Sequence, residues 1–220
     1  MSYIGKFPTA VPLTSSDVAD GIITNAKLAQ DIISAETELA VAPADTDEFL
    51  ISDAGTLKRI DASLVGGGGI TMVDQFTLTS DHSGDAVITS NLARSSHTGF
   101  GRIGTGMSES SGIFTFPSTG IYLVIPKVTF RTDSNGDRTM TLYVDVTTNN
   151  SSYTGVDATS SGDQNSSSAT NNTSSGFCFV DVTDTSNVKV RFRTESIDAN
   201  IEGESSYNMT TFTFIRLGDT

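Results

Sequence analysis

Ser111-Gly-Ile-Phe-Thr-Phe-Pro-Ser-Thr-Gly-Ile-Tyr-Leu-Val-Ile-Pro-Lys-Val-Thr-Phe-Arg131 joins two apolar runs through a Pro-Ser-Thr-Gly turn. Pro117 fixes its own φ and Gly120 tolerates a positive one, so the residues between Phe116 and Ile121 make a sharp corner between strands. Beyond the corner, Tyr122, Val124, Pro126, Val128 and Phe130 share one face, and Ile121, Leu123 and Ile125 share the other. A strand apolar on both faces belongs inside a sandwich or at a subunit contact, not on a wet sheet surface.

Outward from this stretch the β pattern continues. Strands are expected over residues 72–79, 86–89, 99–104, 112–116, 120–132, 138–147, 176–182, 187–194 and 207–217. Met140, Leu142, Val144 and Val146 are spaced by twos, and Val188, Val190 and Phe192 alternate with Lys189, Arg191 and Arg193. Asn135-Gly136 fits a type I′ hairpin turn. Many short strands with no convincing helix among them indicate a β-sandwich or jelly roll over residues 70–220. Residues 147–176 are dominated by Ser, Thr, Asn, Gly and Asp and read as a long polar loop, with Tyr153 and Val156 able to pair part of it as a further strand.

The N-terminal third differs. Gly66-Gly-Gly-Gly69 is a hinge, and residues 1–65 hold a short helix, capped by Thr24 or Asn25 and running to Ile33, with Leu28 and Ile32 on one face. Residues 48–52 and 56–60 form a hairpin around Asp53-Ala-Gly55. A helix that short and a lone hairpin are marginal in water, so both require neighbours. The expected architecture is mainly β: an extended arm and stalk with a helix and a hairpin, then a jelly-roll knob.

Composition narrows the function. A net charge of -13 repels nucleic-acid phosphate and anionic lipid. No stretch is long and apolar enough to span a bilayer, and the first residues lack the charged flank and apolar run of a signal peptide. Synthesis in a cytoplasm follows as the expectation. The single Cys178, between Phe177 and Phe179, reads as a small buried hydrophobe. His82 and His97 lie in polar contexts and read as solvated side chains, and no nucleophile, zinc or phosphate-loop signature is present. Asp133-x-Asn135-x-Asp137 has Arg138 where a calcium loop needs Gly. No catalytic residue, metal or cofactor is expected.

Phe114-x-Phe116-Pro-x-x-Gly120-x-Tyr122-x-Val124 resembles the F-x-x-P-x-x-G-x-Y-x-V/F corner of the complement globular head and tumour necrosis factor superfamily, as does the aromatic strand over residues 207–217. The resemblance implies a homotrimeric knob, with Tyr122, Phe212 and Phe214 in or near the inter-subunit core. Ile22-Ile-Thr-Asn-Ala-Lys-Leu-Ala-Gln-Asp-Ile32 is similar to the I-T-x-A-K-L-A-x-D units of marine bacteriophage tail-fibre shafts, and residues 44–61 resemble a segment repeated among such virion proteins. This second resemblance implies a virion location, an arm contacting other virion proteins with Leu28 and Ile32 packing a stalk, and a fibre-tip role in host attachment. Host glycan or outer-membrane protein would then meet a receptor-facing loop around Tyr153, Asp157, Asp163 and Asn165. Alternatives are a capsid decoration protein, a polysaccharide depolymerase and a secreted cytokine-like ligand.

Overall fold

The computed structural model describes residues 14, 16, 18–19, 37–41, 43–44, 46–65, 69–132, 139–162, 168–195 and 200–220. The expected helix with Leu28 and Ile32, residues 66–68 of the expected hinge, the turn over residues 133–137, and Asp163 and Asn165 lie outside them. The chain divides into two compact units, Met1–Gly66 and Gly67–Thr220.

In the first unit, β1 (Glu48–Asp53) pairs antiparallel with β2 (Thr56–Asp61). The turn residues Ala54 and Gly55 both have positive φ, 49° and 86°, the geometry of a type I′ hairpin. The hairpin is closed by ion pairs between Lys58 and Asp53 and between Arg59 and Glu48. Phe49, Leu50, Ile51 and Leu57 all remain exposed.

The second unit contains β3 (Met72–Leu78), β4 (His82–Ser83), β5 (Leu92–Arg94), β6 (Ser108–Ser110), β7 (Ile113–Thr115), β8 (Gly120–Thr132) and β9 (Met140–Thr147). They are followed by β10 (Thr154–Ser161), β11 (Thr170–Ser175), β12 (Cys178–Val182), β13 (Lys189–Glu195), β14 (Asn200–Ile201) and β15 (Thr211–Gly218). One sheet runs β10-β9-β13-β7-β6 and the other β4-β14-β8-β15-β3-β5, with β11 and β12 also pairing with β8. Every pairing is antiparallel. This is a jelly-roll β-sandwich.

Alternation builds the core. β8 turns Tyr122, Val124, Val128 and Phe130 inward, β9 contributes Met140, Leu142 and Val144, and β13 contributes Val190 and Phe192, all buried. Five phenylalanines tie the two sheets together: Phe76 meets Phe114 edge-on at 5.0 Å, Phe114 lies 5.1 Å from Phe214, and Phe192 stacks on Phe212 at 3.9 Å. Such pairs add about 0.5–1.5 kcal/mol each beyond the area they bury.

The corner after Phe116 relies on glycine. Gly120 has φ 139°, and a Cβ there would overlap the carbonyl oxygen of Gly218. Tyr122 donates its hydroxyl to the Ser118 carbonyl at 3.0 Å, and Arg216 Nε donates to the Thr119 carbonyl at 2.9 Å. The start of β8 is thereby pinned to the end of β15.

Three expectations are corrected. Residues 147–176 are not mainly loop: they hold β10 and β11, which are polar because they form an edge and lie largely exposed. Hydroxyl pairs replace apolar contacts there, as between Thr129 and Thr173 at 3.0 Å and between Thr132 and Thr170 at 2.8 Å. Residues 86–89 and 99–104 form single bridges instead of strands, Val87 with Arg193 and Val73 with Ile103, and β5 lies between them. His82 is not simply solvated; its Nε2 lies 3.2 Å from Thr194 Oγ1, and burial holds its pKa below the ordinary value.

Candidate subunit interface

The same alternation that fills the core sends a second set of apolar side chains to the outer face of the β8 sheet. β8 leaves Leu123 and Ile125 half-buried on its outer face, between its buried residues. β12 turns Val180 and Val182 inward, which sends Phe179 outward. In register, Phe179 lies beside Leu123, Leu123 beside Ile215, Ile215 beside Val73, and Val73 beside Ile103. The result is an unbroken apolar row across β12, β8, β15 and β3 and onto the following segment.

Phe177 widens the row. Its ring meets that of Phe179 edge-on at 6.1 Å, and the two are 63% and 61% exposed. With Leu123, Ile125, Ser175 and Gly176 they line a shallow hollow of about 370 Å³. A sheet face of this character, on a domain whose core is already closed, is a candidate contact surface.

Beside the row lies a polar strip that is satisfied within the chain. Gln75 Nε2 donates to Thr213 Oγ1 at 2.8 Å, Asn208 Nδ2 donates to Gln75 Oε1 at 3.0 Å, and Lys127 Nζ donates to the Asn208 carbonyl at 2.8 Å. Exposed Phe100 borders a second hollow of about 490 Å³ over these residues. Its segment is anchored from behind by Asp74, 1% exposed. Asp74 accepts from Arg94 Nε at 2.8 Å, Arg94 Nη2 at 2.9 Å and the Met107 N–H at 2.8 Å.

Among the solved structures, this chain is similar to murine APRIL at pH 5.0, with a TM-score of 0.51 and 16% identity over 66% of this chain and 98% of that one. It is also similar to Eiger TNF from S. frugiperda, with a TM-score of 0.54 and 12% identity over 69% of this chain and 96% of that one. The fold is a jelly roll of the tumour necrosis factor type. No protein-family model matches the sequence, and no curated protein matches it.

Tyr122, Phe212 and Phe214, expected in or near an inter-subunit core, lie in the interior of the single sandwich. Each is fully buried inside one chain, because the aromatic positions of β8 and β15 are the inward ones. The outward positions beside them carry the candidate surface. Its signal in the sequence was the opposite phase of each strand: Leu123 and Ile125 against Tyr122 and Val124, and Phe177 and Phe179 against Cys178 and Val180.

Tyr153 lies half-buried ahead of β10 with the Arg191 guanidinium 4.0 Å above its ring. Asp157 is in β10, not in a loop, with one carboxylate oxygen buried and unpartnered among the described residues. It faces Gly176, where a Cβ would stand 2.6 Å from Asp157 Oδ2. Burial, with the Asp157 carboxylate adding to it, pushes the Cys178 thiol up to about 11. The thiol is therefore almost entirely protonated at neutral pH and a poor nucleophile. Among the described residues, no three His, Cys, Asp or Glu side chains converge as a metal site would need, and no helix is long and apolar enough to cross a membrane.

Proposed function

We propose that the protein is a homotrimeric, non-enzymatic virion protein of a tailed phage, a fibre or fibre-tip knob that contributes to host attachment. The observation that carries the trimer is the row Phe179, Leu123, Ile215, Val73 and Ile103 on a sandwich that closes its core without it. A second copy covering this face removes it from water, and rotation about a three-fold axis uses the surface once per subunit. The β1–β2 hairpin, apolar on both faces and exposed at Phe49, Leu50 and Leu57, supports a stalk in which neighbouring chains supply the missing cover.

The virion assignment rests on the resemblance of residues 22–32 and 44–61 to tail-fibre shaft segments. Those residues serve as the arm toward other virion proteins, and the glycine run at residues 66–69 separates them from the knob in the sequence. Loops and edges of the knob then face host glycan or outer-membrane protein, and three sites per knob compensate for weak binding at each.

Mass photometry of the full chain tests the oligomer. A species near 69 kDa, three times the 23.1 kDa chain, is expected, and a stable monomer at micromolar concentration removes the proposal. Antibody labelling of particles under the electron microscope tests the location. Label at the tail tip is expected, whereas label over the head makes the protein a capsid decoration.

A further inference from the structure

The opposite face of the knob carries a different surface. On β13, Val190 and Phe192 are buried, which sends Lys189, Arg191 and Arg193 outward. On β9, Asp145 and Tyr143 stand in register beside Arg191 and Arg193. Asp145, 3% exposed, accepts from Arg191 Nε at 3.2 Å and from Arg193 Nε at 3.3 Å. The Arg191 guanidinium lies 4.0 Å over the Tyr153 ring and that of Arg193 4.4 Å over Tyr143. Arg193 also donates to Glu195 at 3.0 Å, and Lys189 Nζ donates to Thr115 Oγ1 at 3.1 Å. Gly155 and Ala158 of β10, in register with Asp145 and Tyr143, are small and exposed, so the flank of the ladder stays open.

Among the described residues, three of the chain's 13 basic residues thus meet on one face with the carboxylates of Asp145 and Glu195, in a chain of net charge -13. Stacking and the shared Asp145 fix the two guanidinium groups before any partner arrives, which lowers the ordering cost of binding. The Nη atoms of Arg191 make no hydrogen bond among the described residues. They present a planar fork suited to a carboxylate. The cations recur at every second residue of β13, about 6.6 Å apart along a rigid strand.

We propose that this face binds a carboxylate-bearing polysaccharide, the acidic sugars of the polymer pairing with Arg191, Lys189 and Arg193. The proposal rests on the host-attachment reading and names the class of glycan it takes. Neutral sugars are disfavoured because both tyrosine rings are already covered by guanidinium. The same covering leaves the guanidinium groups, not the tyrosine rings, as the contact points of this face.

Biolayer interferometry with immobilised polygalacturonate, dextran and poly-L-glutamate tests it on the full chain. Binding to polygalacturonate that weakens as salt rises is expected, with none to dextran and much less to poly-L-glutamate. Arg191→Gln should weaken binding about tenfold, a loss of about 1.4 kcal/mol. Lys189→Gln leaves no buried carboxylate unpaired and should weaken binding severalfold with the fold intact, while Arg59→Gln in the hairpin should change nothing. Absence of polygalacturonate binding, equal binding to poly-L-glutamate, or unchanged binding by both face variants overturns the proposal. Polysaccharide binding by a chain that proves monomeric, or that labels the phage head, separates this inference from the fibre reading.

Discussion

Replacing Phe179 with serine tests the subunit surface at the aromatic residue that starts the row. Phe179 is 61% exposed in the folded chain. With about 200 Å² for a phenylalanine side chain, about 120 Å² of it faces water. Covering that area at about 25 cal/mol per Å² contributes about 3 kcal/mol per protomer, and about 9 kcal/mol for three. Taken whole, this is roughly six orders of magnitude in the trimer dissociation constant. Ordering costs at an interface absorb part of it, so a loss of at least about a thousandfold is the expected outcome. The single chain should not suffer, because Phe179 lies outside the core cluster. Mass photometry over a nanomolar-to-micromolar dilution series reads the shift, and circular dichroism verifies the fold. A Phe179→Ser protein that stays trimeric throughout the series refutes the reasoning, since the row would then not be covered by a second copy.

Three further outcomes follow from the geometry. Gly120→Ala places a Cβ against the Gly218 carbonyl and forces a positive φ on a residue with a side chain, so a loss of at least about 2 kcal/mol is expected in chemical denaturation. An unchanged midpoint would show that the β8–β15 junction yields freely. Arg94→Met leaves the Asp74 carboxylate buried without its cation and should cost about 3 kcal/mol, the lower end of the usual range because Arg94 is partly exposed. Asp74→Asn in that background should restore part of the loss by removing the charge, and a double variant no more stable than the single one would contradict this. Burial lowers the His82 pKa, so the folded protein holds that proton less tightly than the unfolded chain. Its contribution to stability is complete above the ordinary value of 6.5 and is lost as pH falls through the lower folded value. Denaturation of His82→Gln and the parent at pH 7 and pH 5 should therefore show the smaller acid-side loss in the variant, and parallel losses would count against a titrating His82.

The stretch that fixes the fold was legible because both of its faces are apolar. β8 spans the expected residues 120–132, and β9, β12, β13 and β15 begin within a few residues of their expected starts, since each carries a period-two apolar signal. β10 and β11 carry almost no such signal: Thr154–Ser161 and Thr170–Ser175 are edge strands held by backbone pairing and hydroxyl contacts. β5 was missed for a related reason, being three residues long and mostly exposed. Periodicity also shows that two faces of a strand are apolar without saying which one the core takes. Tyr122, Phe212 and Phe214 went to the interior, and the less conspicuous Leu123, Ile125 and Phe179 went outside. The Arg–Tyr ladder depends on register between strands far apart in sequence, so only the folded sheet brings Tyr143, Asp145, Tyr153, Arg191 and Arg193 together.

The aromatic cluster of Phe76, Phe114, Phe192, Phe212 and Phe214 closes within one polypeptide. The knob accordingly carries its own folding instructions and can leave the ribosome as a finished part, with self-association as a later, concentration-dependent event. The hairpin has no such interior, so under the proposed stalk it matures only after chains have met. In the proposed trimer, biogenesis then proceeds from the C-terminal unit toward the N-terminus: the knobs gather first, raise the local concentration of the three arms, and register them for zippering.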